Sequence, residues 1–526
     1  MPTDCITYQK SGYFSKLIVD YLDQKPEIQC LYHRFPTLDN FALQIDEKSK
    51  NYSLKNRLTL AETLKNQNIN FPISEVTQAN IALLKSEKTF TITTGHQLNL
   101  FTGPAYFIYK IASTINLCKQ LKEKYSEYNF VPVYWMATED HDFEEINHFS
   151  VKEKKIKWER ESFGAVGRLS TEGLNEVFEE FSNIIGVGES ASYLKDLFKK
   201  SYLEHSNLSD ATRFLATELF STEGLVIIDG DDSNLKTLFA PFINDELIHQ
   251  NSFTEVSKTI TELKDYTVQV NPREINLFYI EDNLRERIIF ENNTYKVNNT
   301  EIEFSETEIL DLVQNYPEKF SPNVILRPMY QEVILPNLAY IGGGGEIAYW
   351  LELKSNFDSQ KVTFPILMLR NSFVVATEKQ MEKTKKLQVS WSELFLPQEE
   401  LIHQKTKEVS LFKIDFSKQK VTLREQFSEL LKIAEQTDKS FIGAVKAQET
   451  KQVKGLENLE KRLLKAEKRV HSEKLERITT IQNQLFANGS LQERKNNFSE
   501  FYSKKFINDV ILLSNPLNTH FKIIKI

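Results

Sequence analysis

Apolar and polar positions along this chain fall into three textures. Phe90-Thr91-Ile92 and Val131-Pro132-Val133-Tyr134-Trp135-Met136-Ala137-Thr138 are short apolar runs of the kind found in buried strands, and residues 106–125 between them carry apolar positions at helical spacing. The spacing predicts a β-α-β unit over residues 89–146, whose right-handed crossover sets both strand ends on one edge of a sheet. Residues 224–230 predict another buried strand, ending in the loop Asp229-Gly230-Asp231-Asp232, and residues 323–370 read as a return to the same core. A β-rich patch lies between, with Thr267-Val268-Gln269-Val270, Leu277-Phe278-Tyr279-Ile280 and Arg287-Ile288-Ile289-Phe290 as expected strands and residues 291–294 as a turn. Residues 1–84 read as helices with polar connections. From 421 to 485 there is no proline and only two glycines, and Leu456, Leu459, Leu463 and Ala466 step by three and four residues. That pattern predicts two long antiparallel helices with the bend near residues 440–455.

At 526 residues the chain is too long for one simple core. No apolar run reaches the length of a membrane span, and the first residues lack the basic and apolar regions of a signal peptide, so a cytoplasmic protein is expected. Cys5, Cys30 and Cys118 show neither disulfide nor metal-ligand spacing, and Cys118, in a helical apolar run, reads as a buried structural thiol. The formal charge of −8, from 73 acidic against 65 basic side chains, argues against general affinity for nucleic acid.

Candidate chemistry gathers at strand ends. Thr93-Thr94-Gly95-His96-Gln97 closes the first strand, and a strand that stops at a glycine turn before a helix leaves free N–H groups for an anion. His96 could meet a phosphate oxygen or a charged leaving group there, with Thr94, Gln97 and Asn99 supplying neutral hydrogen bonds. Gly103-Pro104 suits a proline at the first helical position. The second strand runs into Glu139-Asp140-His141-Asp142, where one carboxylate could accept a proton from an attacking amine. Alternatively Glu139, His141, Asp142 and His148 could ligate a divalent metal, although the spacing matches no zinc signature. Gly342-Gly343-Gly344-Gly345-Glu346 precedes a helical pattern, so its backbone N–H groups could converge on a carboxylate or phosphate; no Lys-Ser or Lys-Thr pair follows, so it is not a Walker loop. Arg327 and Arg370, near the ends of strand-like runs, are natural carboxylate forks, with a structural ion pair as the alternative.

Taken together, Thr94-Gly95-His96-Gln97, Phe101-Thr102-Gly103-Pro104, Glu139-Asp140-His141-Asp142 with Glu145-Ile146-Asn147, Arg327-Pro328 with Gln331, Leu335-Pro336 and Gly345-Glu346-Ile347-Ala348-Tyr349 resemble the bacillithiol-biosynthesis cysteine-adding enzymes. The resemblance spans most of the chain. It implies an α/β fold, a Rossmann-like nucleotide-binding core with inserted connecting segments, and a long α-helical coiled coil that dimerises. It further implies a ligase that joins L-cysteine to glucosaminyl-malate, with ATP or ADP as the nucleotide and Mg²⁺ as its companion. The segments then read as 1–84, a helical part packed on the core; 85–150, the first part of the core; 151–221, a connecting insertion; 222–414, the remainder of the core with its β-rich insertion; 415–490, the antiparallel coiled coil; and 491–526, a C-terminal segment. His96, Asp140, His141 and Asp142 are the expected catalytic residues. Thr94, Gly95, Gln97, Asn99, Arg327, Gln331, Gly344, Gly345, Glu346 and Tyr349 are the expected substrate contacts, and Gln492, Glu493, Arg494 and Asn497 an expected second nucleotide site.

The implied core also resembles class I aminoacyl-tRNA synthetases in outline, with two departures. No Lys-Met-Ser-Lys-Ser type loop follows, and the histidine motif is not the full four-residue signature. Two rival readings remain: a nucleotidyltransferase acting on another small molecule, and a non-enzymatic assembly protein whose coiled coil is the working part.

Overall fold

The computed structural model describes residues 6–526; Cys5 and the rest of the first five residues of the expected N-terminal helical part lie outside the described residues. The chain forms two units, one of residues 6–375 and 492–524 and one built on residues 376–491.

In the larger unit β1 (Thr89–His96), α1 (Tyr106–Lys124), β2 (Asn129–Met136), β3 (Val226–Asp229), α2 (Ser233–His249), α3 (Arg327–Ile334), β4 (Asn337–Gly342), α4 (Gly344–Leu351) and β5 (Ile366–Leu369) make the core. The five strands are parallel, in the order β5-β4-β1-β2-β3. Read from the far edge this is 3-2-1-4-5, the doubly wound order, in which the chain leaves β1 toward one side and resumes on the other with β4. Ligands bind such sheets in the crevice outside the carboxyl ends of the strands at that reversal.

Parallel strands covered on both faces need side chains that are apolar throughout, and β1, β2, β4 and β5 are buried along nearly their whole length. Phe90, Ile92, Ile341 and Met368 pack with Leu117 and Leu121 of α1 and with Phe41 and Ile45 from the helix Leu38–Asn51. Tyr134 and Met136 pack with Ile108, Ile111 and Ile115 of α1 and with Phe181, Phe198 and Leu215 from helices of the 151–221 segment. Cys118 is buried in the first of these clusters, and burial pushes its thiol up, as a structural cysteine requires.

The register between β1 and β4 shifts at Thr91 and Ile92. Asn337 bridges this irregularity: its Oδ1 accepts from the Thr91 and Thr93 hydroxyls at 3.2 and 2.9 Å, and its Nδ2 donates to Glu332 at 2.6 Å. Glu332 is itself buried against Lys48, at 3.3 Å.

A separate antiparallel sheet runs Phe320–Pro322, Leu277–Glu281, Leu284–Glu291, Thr294–Val297, Glu303–Phe304. Its Asn292-Asn293 turn has both residues left-handed, at φ 52° and 61°, the geometry of a tight hairpin. Thr267-Val268-Gln269-Val270 is not a strand, contrary to its β-branched pattern. Its N–H groups are satisfied by a side chain instead: Gln269 and Val270 donate to the buried Glu352 carboxylate at 2.7 and 3.2 Å.

In the second unit α5 (Ser417–Ala434), α6 (Lys439–Val470) and α7 (Ser472–Leu485) supply the long helices. α5 and α6 pair through Phe427, Ala434 and Val445, with Leu423, Leu431 and Ile442 alongside. The bend lies at residues 435–438, earlier than the expected 440–455. Asp438 caps α6 by accepting the Ser440 N–H at 2.7 Å, while Gly443 and Gly455, which suggested a later break, sit inside α6 facing open space. No helix among the described residues is long and apolar enough to cross a membrane.

Glu352 sets a pH dependence. Burial raises its carboxyl from 4.5 to about 7, against the lowering effect of the two backbone donors. Between these values the folded protein holds a proton that the unfolded chain has lost, so this contribution is complete below pH 4.5 and is lost as pH rises through 7. Across that window it amounts to up to about 3 kcal/mol. Glu352→Gln should therefore flatten the fall in stability between pH 5 and pH 8 measured by denaturant unfolding; an unaltered slope would show that Glu352 does not titrate there.

Candidate active site

The carboxyl ends of β1 and β4 open into a cavity of about 950 Å³. From β1 it is lined by Gly95 and His96, with Gln97 just beyond; from β4 and α4 by Tyr340, Gly343, Gly345, Glu346 and Tyr349. Lys110 reaches it from the N-terminal part of α1, and its buried ammonium donates to the Gly95 carbonyl and to Glu346, both at 2.7 Å. Glu346 also accepts from the Tyr340 hydroxyl at 2.9 Å and from the Gly343 N–H at 2.8 Å, which caps α4. Glu346 and one glycine N–H are thus engaged within the protein, whereas Gly345 faces open space. Glycine at 95 has a steric reason: a Cβ there would lie 3.1 Å from the Tyr340 hydroxyl.

His96 is buried against Tyr106 and Phe107, and its Nε2 has no hydrogen-bond partner. Burial, then Lys110 and Arg370, hold the imidazole well below its ordinary value, so the ring is neutral. The turn that follows is strained, with Phe101, Thr102 and Gly103 all at positive φ. Tyr202 accepts the Phe101 N–H at 2.8 Å, and Asn497 donates to the carbonyls of Phe101 and Gly103 at 2.7 and 2.6 Å. α1 begins at Tyr106, so Pro104 precedes the helix instead of occupying its first position.

On the β2 side Asp140 accepts from the His141 N–H at 2.8 Å and from Gln97 at 3.3 Å, with Arg327 at 3.8 Å. Burial alone would raise its carboxyl, but Arg327 and Arg285 bring it down to about 2. Burial and Arg285 likewise lower the His141 imidazole, and Arg285 Nη1 donates to its Nδ1 at 2.6 Å. Asp140, His141, Arg327 and Gln331 all line the cavity.

Several expected site residues do other work. The Thr94 hydroxyl donates to the Ile341 carbonyl between strands at 2.7 Å, away from the cavity. Asn99 donates to the Glu145 carbonyl at 3.2 Å and packs under Gly103. Asp142 caps the short helix Phe143–Ile146, and Gly344 packs against Phe14. Glu139 is buried on Lys236 at 2.5 Å and His148 pairs with Asn147, so the four ligands of the metal alternative are dispersed. Among the described residues no three His, Cys, Asp or Glu side chains converge as a metal set.

The expected second nucleotide site is taken up by the fold as well. Gln492 pairs with both backbone groups of Val375, at 2.8 and 3.1 Å, and Glu493 is buried on Arg370 at 2.8 Å, which makes Arg370 a structural partner. Asn497 holds the strained turn, and of the four only Arg494 lines the cavity. What the sequence reading missed are Lys110, Arg273, Arg285 and Arg287, all at the cavity. A lysine inside the apolar helical run 106–117 was the available signal for the first; nothing local marks the arginines.

Residues 1–371 match the family description "Bacillithiol biosynthesis BshC, N-terminal Rossmann-like domain", and residues 373–526 match "Bacillithiol biosynthesis BshC, C-terminal coiled-coil domain". The chain belongs to the BshC family. Its BshC relatives include a Flavobacterium psychrophilum protein, 65% identical over the whole of both chains, and a Christiangramia forsetii protein, 55% identical over 100% of this chain and 99% of that one. A Staphylococcus carnosus protein is 30% identical over 69% of this chain and 70% of its own length. Each carries the name "Putative cysteine ligase BshC".

The two neighbours at 493 and 494 should separate cleanly in thermal or denaturant unfolding. Glu493→Ala strands Arg370 as an unpaired buried charge and should cost about 3–5 kcal/mol, whereas Arg494→Ala should stay within about 0.5 kcal/mol of the parent. Equal effects would mean that Arg494 is also part of the fold.

Proposed function

We propose that this BshC-family ligase joins the carboxyl of L-cysteine to the glucosamine amine of glucosaminyl-malate, forming an amide in the last step of bacillithiol biosynthesis, in the cytoplasm. The observation that carries the reading is the neutral imidazole of His96, its Nε2 without a partner, at the reversal point of a doubly wound sheet, in a cavity where seven cationic side chains face three carboxylates. Such a cavity favours anionic ligands. Relatives named as cysteine ligases support the donor.

A carboxylate is a poor acyl donor, so ATP is the proposed source of activation: a cysteine carboxylate oxygen attacks the terminal phosphorus, the P–O bond to ADP breaks, and ADP leaves behind a mixed anhydride of cysteine with phosphate. Gly345, with open space before it, and Arg494 would hold the phosphates beside Lys110. Mg²⁺ accompanying ATP needs few protein ligands. The amine nitrogen then attacks the carbonyl carbon, the C–N bond forms, the C–O bond to phosphate breaks, and the amine proton must leave. Asp140, at about 2, is too weak a base for that role; its fixed negative charge suits it to orient the amino sugar. His96 Nε2 is the proposed acceptor. Burial is the larger cause of its low basicity; bound phosphates would offset the smaller part that comes from Lys110 and Arg370 and so move the imidazole toward accepting a proton. His141, tied to Arg285, positions Asp140 through its N–H, and Gln97, Gln331 and Tyr349 complete the lining.

The second unit is proposed to form a homodimer. Leu430 and Ile433 on α5 and Phe441 and Leu459 on α6 remain roughly half exposed, apolar surface that a second copy would cover.

Thiol profiling of a deletion strain tests the function: bacillithiol should vanish while glucosaminyl-malate accumulates, and an unchanged thiol pool eliminates the reading. With purified protein, His96→Ala should lower kcat by roughly 10²–10⁴, the range for losing a general base, and Asp140→Asn should raise the acceptor KM; wild-type rates in both folded variants would remove these residues from the mechanism. In light scattering, the chain lacking residues 417–485 should be monomeric, and a persisting dimer would put the interface elsewhere.

A further inference from the structure

Arg285 belongs to the antiparallel insertion, not to the nucleotide-type core. Its guanidinium lies 3.9 Å from the ring centroid of Phe278. Nε donates to the Ser321 hydroxyl at 3.2 Å and Nη1 to His141 Nδ1 at 2.6 Å. The residue is only 5% exposed, and its Nη2 is buried with no acceptor. Two nitrogens and the ring face fix the plane, and the N–H donors of the third stay unused in a residue that lines the cavity.

The nearby carboxylates are committed elsewhere. Glu139 is bound by Lys236, Asp231 by Arg168 and Lys236, and Asp140 by Gln97 and the His141 N–H. An unpaired buried donor on a charged group is costly, and a ligand oxygen removes that cost. Burial, and then the neighbouring Arg327, disfavour the charge of Arg285, and Arg327 makes only a loose contact with Asp140. Arg273 and Arg287 add charge to the same lining. The one free nitrogen of Arg285 and the guanidinium of Arg327, on either side of one aspartate, suit two separate carboxylates better than one.

We propose that Arg285 Nη2 anchors a carboxylate of the acceptor substrate and, with Arg327, selects a dicarboxylate over a monocarboxylate. The inference rests on the ligase reading for the identity of that acceptor, whose malate end is the dicarboxylate. It assigns the antiparallel insertion a recognition role, and leaves the glycine turn with Lys110 and Arg494 for phosphate.

Calorimetry on the full-length protein with L-malate, L-lactate and tripolyphosphate tests it. The parent should prefer malate to lactate by about tenfold or more, and Arg285→Ala should weaken malate by at least about tenfold and bring the malate-to-lactate ratio near one. Tripolyphosphate binding should stay within about twofold, because the anchor is specific to the carboxylate end. Arg285→Lys, which keeps the charge and loses the fork, decides the matter if the alanine variant does not fold; it should lower malate affinity by roughly fivefold. A general loosening would weaken lactate in parallel and leave the ratio intact. An unchanged ratio in folded variants, a loss confined to tripolyphosphate, or no measurable malate binding by the parent overturns the proposal. If the parent forms the cysteinyl amide and Arg285→Lys leaves its acceptor KM unchanged, the anchor falls and the ligase reading stands. Arg285-dependent malate binding by a parent that makes no amide has the opposite meaning.

Discussion

Lys110 joins four elements at one point. Rising from the N-terminal part of α1, its buried ammonium binds the Gly95 carbonyl near the end of β1 and the first turn of α4 through Glu346, which in turn gathers Tyr340 of β4 and the Gly343 N–H. These are the elements whose ends frame the reversal point of the sheet, so the crevice keeps its shape only while this ion pair is made. An uncompensated charge at such a buried pair costs about 3–5 kcal/mol. Burial first, and then the same ammonium, lower the basicity of His96, so the lysine that shapes the pocket also helps to keep its imidazole neutral.

Local electrostatics run against the charge of the whole chain. The protein is net acidic, yet the cavity lining is dominated by arginine and lysine. Low-dielectric walls concentrate that field, which favours anionic ligands and keeps buried imidazoles neutral. Asp140 is the counterweight: two arginines keep it ionised at any physiological pH, so it acts as a fixed charge and not as a proton acceptor.

The parts that surround the core add to it from a distance in sequence. Asn497 holds a turn in which Phe101 and Thr102 occupy left-handed backbone, a conformation that a bulky and a β-branched residue adopt only when their surroundings enforce it. Arg285 arrives from an antiparallel insertion and meets His141, 144 residues earlier in the chain. The core thus supplies the glycine turn and His96, and its attachments brace the first turn and supply charge to the opposite wall.

Much of this was legible in the residues alone. The β-α-β unit, the return to the core and the long helices follow from apolar periodicity, which survives into the fold because burial on both sheet faces and helix pairing reward it directly. His96, Asp140 and His141 were legible because strand ends point into the crevice whatever the details of packing. Side-chain direction was not. Thr94 and Asn99 lie in the same motif as His96 yet bond within the fold, and Gln492, Glu493 and Asn497 mimic a ligand site while satisfying backbone and a buried arginine. The segment 267–270 has strand-like residues but pairs with Glu352, because a buried carboxylate offered its N–H groups better acceptors than any neighbouring strand. Sequence by itself determined the strands and helices of the core and the pairing of the long helices; where the bend falls, whether residues 267–270 join a sheet, and which polar groups face the cavity and which meet the protein were decided by contacts that only the tertiary structure brings together.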